Sequence, residues 1–451
     1  MHTPKTLPGL PIAPGSWPLF GHLRAMASDS AEWILKNTEE LGPLFWMSMG
    51  FGSWSIVVTG EEARQVMKNK ETRSDIMGKA AKHITEHTVV IADGDPHRRL
   101  RGAMMGPFTP KGISSTEVGK LIAEVMVDHT HRWKGRGQLS IVTETSEIAI
   151  DVIFRILGIP REDLPQWRKI FASYLNPGLM IPIALPGFPK WKSIKAGEWM
   201  NHRLTTLIDR AIADGDRDSV LGALAHGADE KGRSLTPEEL LANIRILGLA
   251  GHETTAATMA WMMIHVARDP ILWAEVLEEA ISQDEPPSSP ADLERFPRAE
   301  ALFRECLRIY PPLLLLPPRR VVEPLEVHGF TIPPETQVSA SLIGLSMDPI
   351  QYPEPEKINL DRWTQLGHKP RPSESVQFGG GPHFCLGYHL AVLEGTLFIV
   401  YAARALHEMG LTPTLVGPTP SPKFLPLTRP PADSTVHLLA PSPQGTKSPS
   451  R

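Results

Sequence analysis

Apolar residues recur at helical spacing over three long stretches of this chain. The clearest starts at Thr236, an N-cap residue followed by Pro237 at the first helical position and by Glu239 where a capping box needs it. Leu235 can staple onto Leu240, and the pattern runs to Arg268, where Asp269-Pro270 stops it. That predicts a helix of about 32 residues, roughly 48 Å long, enough to cross a whole domain. Val118, Leu121, Ile122, Val125 and Met126 mark one face of a largely helical stretch from Thr116 to Arg155. Leu386, Leu390, Leu393 and Leu397 mark another, ending near Met409. Shorter helices are expected over residues 30–37, 61–68 and 299–309, the last stopped by Pro311-Pro312. Strict alternation is confined to residues 44–49 and 54–59, a hairpin around Gly50-Phe51-Gly52, with short strand-like pieces over 326–332. The pattern predicts a mainly α fold with a small β-rich lobe, and no internal repeat.

The gaps between these elements carry their own information. Residues 72–93 lack periodicity, and a long irregular segment in a compact domain is usually functional or disordered. Residues 177–191 are apolar but broken by prolines, too short to span a membrane; one reading is a loop that covers the core. Residues 7–23 read as a proline-rich arm on the surface, and 348–371 as irregular. Hydrophobic residues at 41% and charged residues at 21% describe an ordinary globular chain of 451 residues, able to bury a large core. No Gly/Ser or charged linker lies between Ala31 and Leu411, so residues 1–440 are read as one domain and the Pro/Ser/Lys-rich 441–451 as a disordered tail. The net charge of −4 argues against nucleic acid or anionic membrane as a partner. Two cysteines, Cys306 and Cys385, give no disulfide framework and no zinc or iron–sulfur set, which fits a reducing cytoplasmic setting. No apolar run approaches the roughly 20 residues of a membrane span, so no transmembrane anchor is expected.

Four constellations carry candidate chemistry. The stretch Phe378-Gly379-Gly380-Gly381-Pro382-His383-Phe384-Cys385-Leu386-Gly387 is a turn few other residues could follow, because several positions need positive φ or room for a close flat neighbour. It delivers Cys385 to the start of a helix, where unpaired N–H groups and the macrodipole favour the thiolate, the metal-binding form. Ala250-Gly251-His252-Glu253-Thr254-Thr255 puts small residues in mid-helix, and a threonine there can bond the carbonyl four residues back. Glu305 and Arg308 share a helix face among Leu302, Phe303, Leu307 and Ile309, which makes a buried ion pair plausible. His97 and Arg101 fall one helical turn apart, so both can reach one anion.

The spacing of residues 378–387 resembles the haem-binding loop of the cytochrome P-450 superfamily, of the soluble bacterial kind. The resemblance implies that Cys385 is the axial thiolate of a haem b iron. Phe378 would pack behind it, His383 would reach a propionate, and Gly379 and Gly387 belong to the same signature. It assigns His97 and Arg101 to a propionate and adds Arg319, favoured over its neighbour Arg320. Residues 250–255 resemble the family's oxygen-binding groove, with Glu253 and Thr254 as proton relay and Ala250 and Gly251 leaving room for dioxygen; His252 is read as structural. Arg362 joins Glu305 and Arg308 in a buried trio that locks the cysteine loop, and Arg98 or Arg99 would face an acidic redox partner. The fold implied holds haem between the long helix and the cysteine-bearing one. The activity implied is monooxygenation, in which dioxygen and two electrons deliver one oxygen atom to a substrate. The chain has no Gly-rich dinucleotide site and too few cysteines for a cluster, so electrons come from an external ferredoxin or flavodoxin with its reductase. Ile246, Ala250, the 313–316 run with Leu315, Val89 and parts of 72–90 and 175–183 would line the pocket. That lining is mostly aliphatic and suggests hydroxylation of a terpenoid, steroid or fatty-acid-like molecule. The rivals are a peroxide-driven enzyme of the same fold, which would not need the relay, and a non-enzymatic haem sensor, which would need only Cys385 and a pocket.

Overall fold

The strongest helix signal in the sequence becomes the axis of the molecule. The structure is a computed structural model that describes residues 3–26, 29–50, 52–68, 70–75, 82–175, 185–424 and 427–440. In chain order the helices used below are α1 (Ser30–Leu41), α2 (Gly94–Met104), α3 (Val118–His131), α4 (Ile141–Ile156), α5 (Leu164–Tyr174), α6 (Pro189–Ala213), α7 (Pro237–Arg268), α8 (Pro270–Ser282), α9 (Pro297–Ile309) and α10 (Tyr388–Glu408). The capping box of α7 forms as the residues require: Glu239 N–H donates to Thr236 Oγ1 at 3.2 Å, and Thr236 N–H donates to Glu239 Oε2 at 2.9 Å. All 32 residues are helical. Its second half is apolar all round and buried, with Met259, Ala260, Trp261, Met262, Met263 and Ile264 sealed from solvent between α4, α9 and α10.

The β-rich lobe is a five-stranded sheet built from β1 (Leu44–Gly50), β2 (Ser53–Val58), β3 (Thr72–Arg73), β4 (Arg319–Val321) and β5 (Gln337–Ala340), in the order β1-β2-β5-β4-β3. The hairpin β1–β2 is antiparallel, while β2 and β5 run parallel with Ile56 opposite Val338. Trp46, Ile56, Val58 and Val338 make a core separate from the helical one. A small C-terminal hairpin, β6 (Lys423–Phe424) and β7 (Thr428–Arg429), returns to touch α7.

Several expectations need adjusting. The helical stretch over 116–155 is two helices, because Lys134-Gly135-Arg136-Gly137 turns the chain with Gly135 at φ +78° and Gln138–Ser140 pairs as a strand. The helix after the cysteine starts at Tyr388 rather than Leu386, leaving Cys385 in the loop ahead of the Gly387 N-cap. The proline-rich arm does not merely lie on the surface: Leu10 and Ala13 are buried, and Ile12 bridges to Trp46 at the sheet edge. The strand-like 326–332 is a hairpin, Leu325–Val327 with Phe330–Ile332, turning through His328 and Gly329 at φ 47° and 77°. The 441–451 tail, and the 76–81 and 176–184 parts of the two irregular stretches, lie outside the described residues. Among the described residues one helix, α10, is long and apolar enough to cross a membrane, but its apolar stretch is largely buried in the helical core.

Candidate functional site

The cysteine loop is held by glycine geometry. Gly379 and Gly381 sit at φ +78° and +62°, and a Cβ on Gly381 would come within 2.5 Å of the Met67 carbonyl oxygen, so only glycine lets the loop pass the β lobe there. Cys385 N–H donates to Phe378 O at 2.9 Å and closes the turn. Phe378 packs edge-on against Tyr388, ring centroids 4.9 Å apart. Gly387 caps α10, and a Cβ there would meet nothing within 4 Å. Burial pushes the Cys385 thiol up; the Gly387 N–H and the Arg101 guanidinium pull the other way.

A basic cluster stands beside the loop. His97 is buried on α2 with its ring 4.3 Å from that of His383. His383 Nε2 lies 3.3 Å from Asp93 Oδ1 and 3.3 Å from Ser74 Oγ. Arg319 joins the same group, donating to Thr72 Oγ1 at 2.6 Å, Ser74 Oγ at 2.7 Å and Asp93 Oδ1 at 3.4 Å. Arg320 points elsewhere, to Asp75 and Glu335. Burial, with the His383 and Arg101 charges adding to it, holds His97 down to about 4. Arg101 differs from all of these. Its guanidinium is half-buried near Cys385, yet makes no hydrogen bond or ion pair with any described residue. Arg99 is not free for a partner, since it bonds Glu239 in the α7 cap at 3.0 Å, whereas Arg98 is exposed beside Asp95.

On α7, Ile246, Ala250 and Thr254 share one face at four-residue spacing. Ile246 is buried, but Ala250 is open although the helix beyond it is sealed, and Thr254 is half-open, its hydroxyl donating back to Ala250 O at 2.7 Å. Gly251 does not belong to that open face. A Cβ on it would meet Ile153 Cδ1 at 3.4 Å, so the missing side chain leaves room for α4 instead; successive helical residues point about 100° apart. Glu253 is held from two sides, Oε2 lying 3.6 Å from Arg429 Nη1 on β7 and Oε1 3.8 Å from His252 Nδ1. Nothing in the sequence tied Arg429 to Glu253, because the hairpin that carries it has no pattern of its own. Val89 and Leu315 are half-buried, the first donating its N–H to Asn243 Oδ1 at 2.8 Å, the second bridging to Ser341.

Glu305 and Arg308 are fully buried and bidentate, Nε to Oε1 at 2.8 Å and Nη2 to Oε2 at 3.0 Å. Glu305 also accepts from Asn359 N–H at 3.0 Å and Trp363 Nε1 at 2.9 Å, with Arg362 Nε at 3.4 Å. Arg308 donates to the carbonyls of Ser346 and Pro355 at 3.0 and 2.8 Å. These bonds lock residues 346–363, not the 378–387 loop itself. The direct tie to the loop's flanks is Arg304, paired with Glu300 and donating to Ser375 Oγ at 2.8 Å and Tyr388 Oη at 3.1 Å. Its signal was present as an i, i+4 pair on the same helix.

Three features are left unmatched among the described residues: a part-buried thiol on a loop, a half-buried guanidinium without an anion, and the opening at Ala250 and Thr254 in mid-helix. Among the described residues no group of three or more His, Cys, Asp or Glu side chains could hold a bare metal ion. A flat ring that brings its own metal and its own carboxylates fits all three features.

Comparison with known proteins agrees. The cytochrome P450 family model matches residues 11–163 and 190–408. The chain is 35% identical over 407 residues to a cytochrome P450 BJ-4 homolog from Sinorhizobium fredii, covering 90% of this chain and 91% of that one. A taxane 10-beta-hydroxylase from Taxus cuspidata is 26% identical over 416 residues, covering 86% and 82%. The solved structure of retinoic acid-bound cyanobacterial CYP120A1 superposes with a TM-score of 0.81 at 24% identity, covering 96% of this chain and 99% of that one. The chain therefore belongs to the cytochrome P450 family, haem-carrying monooxygenases that act on lipophilic molecules.

Proposed function

We propose that this protein is a haem-thiolate monooxygenase that hydroxylates a terpenoid-, steroid- or fatty-acid-like substrate on electrons from a separate ferredoxin or flavodoxin and its reductase. The observation that carries the reading is Arg101, a half-buried cation beside Cys385 with no partner among the described residues. Burying an unpaired guanidinium is costly, and a propionate of haem b removes the cost. Cys385 supplies the axial thiolate. Arg101 and His97 hold one propionate. Arg319 and His383 serve the other side with less charge to spare, since Asp93 already neutralises part of theirs. Phe378, Gly379 and Gly387 shape the loop. Bound haem, with a thiolate pushing electron density onto its iron, supplies cleavage of the O–O bond.

The protein's own share is placement and protons. Ala250 keeps the α7 face clear, while Thr254 and Glu253 move protons toward the open side; Thr254 must first give up its bond to the Ala250 carbonyl. The aliphatic lining at Ile246, Leu315 and Val89 supports a lipophilic substrate, and the similarity to a taxane hydroxylase is consistent with that class. Residues 1–440 act as one catalytic unit in the reducing cytoplasm. The test is optical. The reduced protein with carbon monoxide should show the red-shifted band of thiolate ligation, lost in Cys385→His, and Arg101→Ala should weaken haem retention more than Arg319→Ala. A panel of terpenoids, steroids, fatty acids and small charged compounds is then screened for displacement of iron-bound water. An imidazole-type spectrum in the parent protein, or a preference for the charged compounds, overturns the reading.

A further inference from the structure

We infer that His252 is a second entry point for protons, passing them from Ser146 on α4 to Glu253. This rests on the reading of Glu253 and Thr254 as the relay pair. His252 is buried, 6% exposed, at the α4–α7 contact. Its Nε2 lies 2.8 Å from Ser146 Oγ, and Ser146 is only half-buried, so the hydroxyl connects the ring to the outside of the helix pair. The other ring nitrogen, Nδ1, is sealed from solvent and has no hydrogen-bond partner among the described residues. A buried orphan nitrogen is uncommon and costs free energy. The nearest anionic group is Glu253 Oε1 at 3.8 Å, too far for a bond at rest but within reach of a side-chain rotation, and Glu253 is loose enough to make it at 27% side-chain exposure.

An imidazole with one nitrogen on a hydroxyl and the other facing a carboxylate has the geometry of a shuttle. The Ser146 hydroxyl gives its proton to Nε2 as Nδ1–H gives its own to Glu253 Oε1; the ring stays neutral and has exchanged tautomers. One proton has moved inward as Ser146 takes its replacement from solvent in the same concerted step, so no alkoxide is left, and a ring flip resets the tautomer. No oxidant or further reactant is needed. The groups facing the ring suit this. Ser146 comes from α4, Phe171 of α5 packs at 6.0 Å, Glu253 comes from α7 itself, and Arg429 approaches from β7. Burial lowers the His252 pKa despite Glu253, which favours the neutral ring a shuttle requires. Arg429 lies against the far oxygen, Oε2, which leaves Oε1 to face the ring.

A merely structural His252 would pin α4 to α7 through Ser146, and an amide can do that as well. The test compares His252→Gln, which can keep the Ser146 bond but cannot exchange tautomers, with His252→Phe, which keeps the ring contact to Phe171 alone, each as reconstituted holoenzyme. Both variants should lose roughly tenfold in product formed per electron consumed, less than the about 10²–10⁴-fold of a group that acts on the reacting atoms, because Glu253 and Thr254 stay in place. The solvent deuterium effect on turnover should rise in both. The readout independent of turnover is the ring-proton NMR titration of His252 in the reduced, carbon monoxide-bound protein, whose midpoint should move in Glu253→Gln. Parental coupling in His252→Gln, or a midpoint indifferent to Glu253, overturns the inference. Should Thr254→Ala and Glu253→Gln also leave coupling unchanged, the relay reading itself has failed; if those two uncouple and the His252 variants do not, only the entry route has.

Discussion

Replacing Glu305 by Leu removes the anion from a fully buried guanidinium and takes an acceptor away from two further donors. Breaking one side of a buried ion pair costs about 3–5 kcal/mol. Asn359 N–H and Trp363 Nε1 lose their acceptor too, each adding about 1 kcal/mol or more. The sum, about 5–7 kcal/mol, rivals the total stability of an ordinary domain at about 5–15 kcal/mol. Arg308→Leu should cost less, about 3 kcal/mol, because Glu305 keeps Arg362, the Asn359 N–H and Trp363 as partners. In the double variant neither Glu305 nor Arg308 is left facing an empty partner, and Arg362 keeps the Pro353 and Glu354 carbonyls, so the cost should fall below the sum of the singles by about 2 kcal/mol or more. Urea unfolding of the holoprotein, followed by circular dichroism and by the haem absorption band together, measures all three. The milder Glu305→Gln, which keeps one acceptor oxygen, supplies a foldable point if the Leu variant cannot be purified. Additive costs, or a Glu305→Leu cost under about 1 kcal/mol, would refute the claim that the trio is an electrostatically closed unit.

Three other outcomes follow from particular side chains. Burial lowers His265 to about 4 at the end of α7, so its unfolded form takes up a proton below the ordinary value of 6.5 while the folded form does not. Its contribution is complete above pH 6.5 and is lost as pH falls toward 4, about 3 kcal/mol in all; His265→Gln should flatten that limb of a stability–pH curve. Glu394, buried in α10 with Oε1 unpartnered, has its pKa pushed well up by burial, so it is protonated in the fold and its contribution is lost as pH rises above the ordinary carboxylate range. Glu394→Gln should therefore be more stable than the parent at pH 8, and a loss there would count against the assignment. Gly395→Ala would set a Cβ 2.1 Å from Phe303 Cδ2, an overpacking cost of about 1–3 kcal/mol that the added companion Phe303→Leu should largely relieve in thermal melts.

Local chemistry made much of this readable from the chain alone. A capping box, a proline and an aspartate–proline stop bound α7 within a residue, because those signals act over one helical turn and need no partner from elsewhere. The cysteine loop was legible for the same reason: three glycines, a proline and their spacing constrain one short segment. Where two segments had to meet, the pattern fell silent. The facing of Gly251 toward Ile153 depends on how α4 packs, the pairing of Glu253 with Arg429 on a hairpin that folds back onto α7, and the engagement of Asp93 on Arg319 and His383 arriving from distant segments. Burial and partnership are properties of a packed interior, where desolvation sets what each charge must find, and no period or motif along a single strand of residues encodes which distant group will be there.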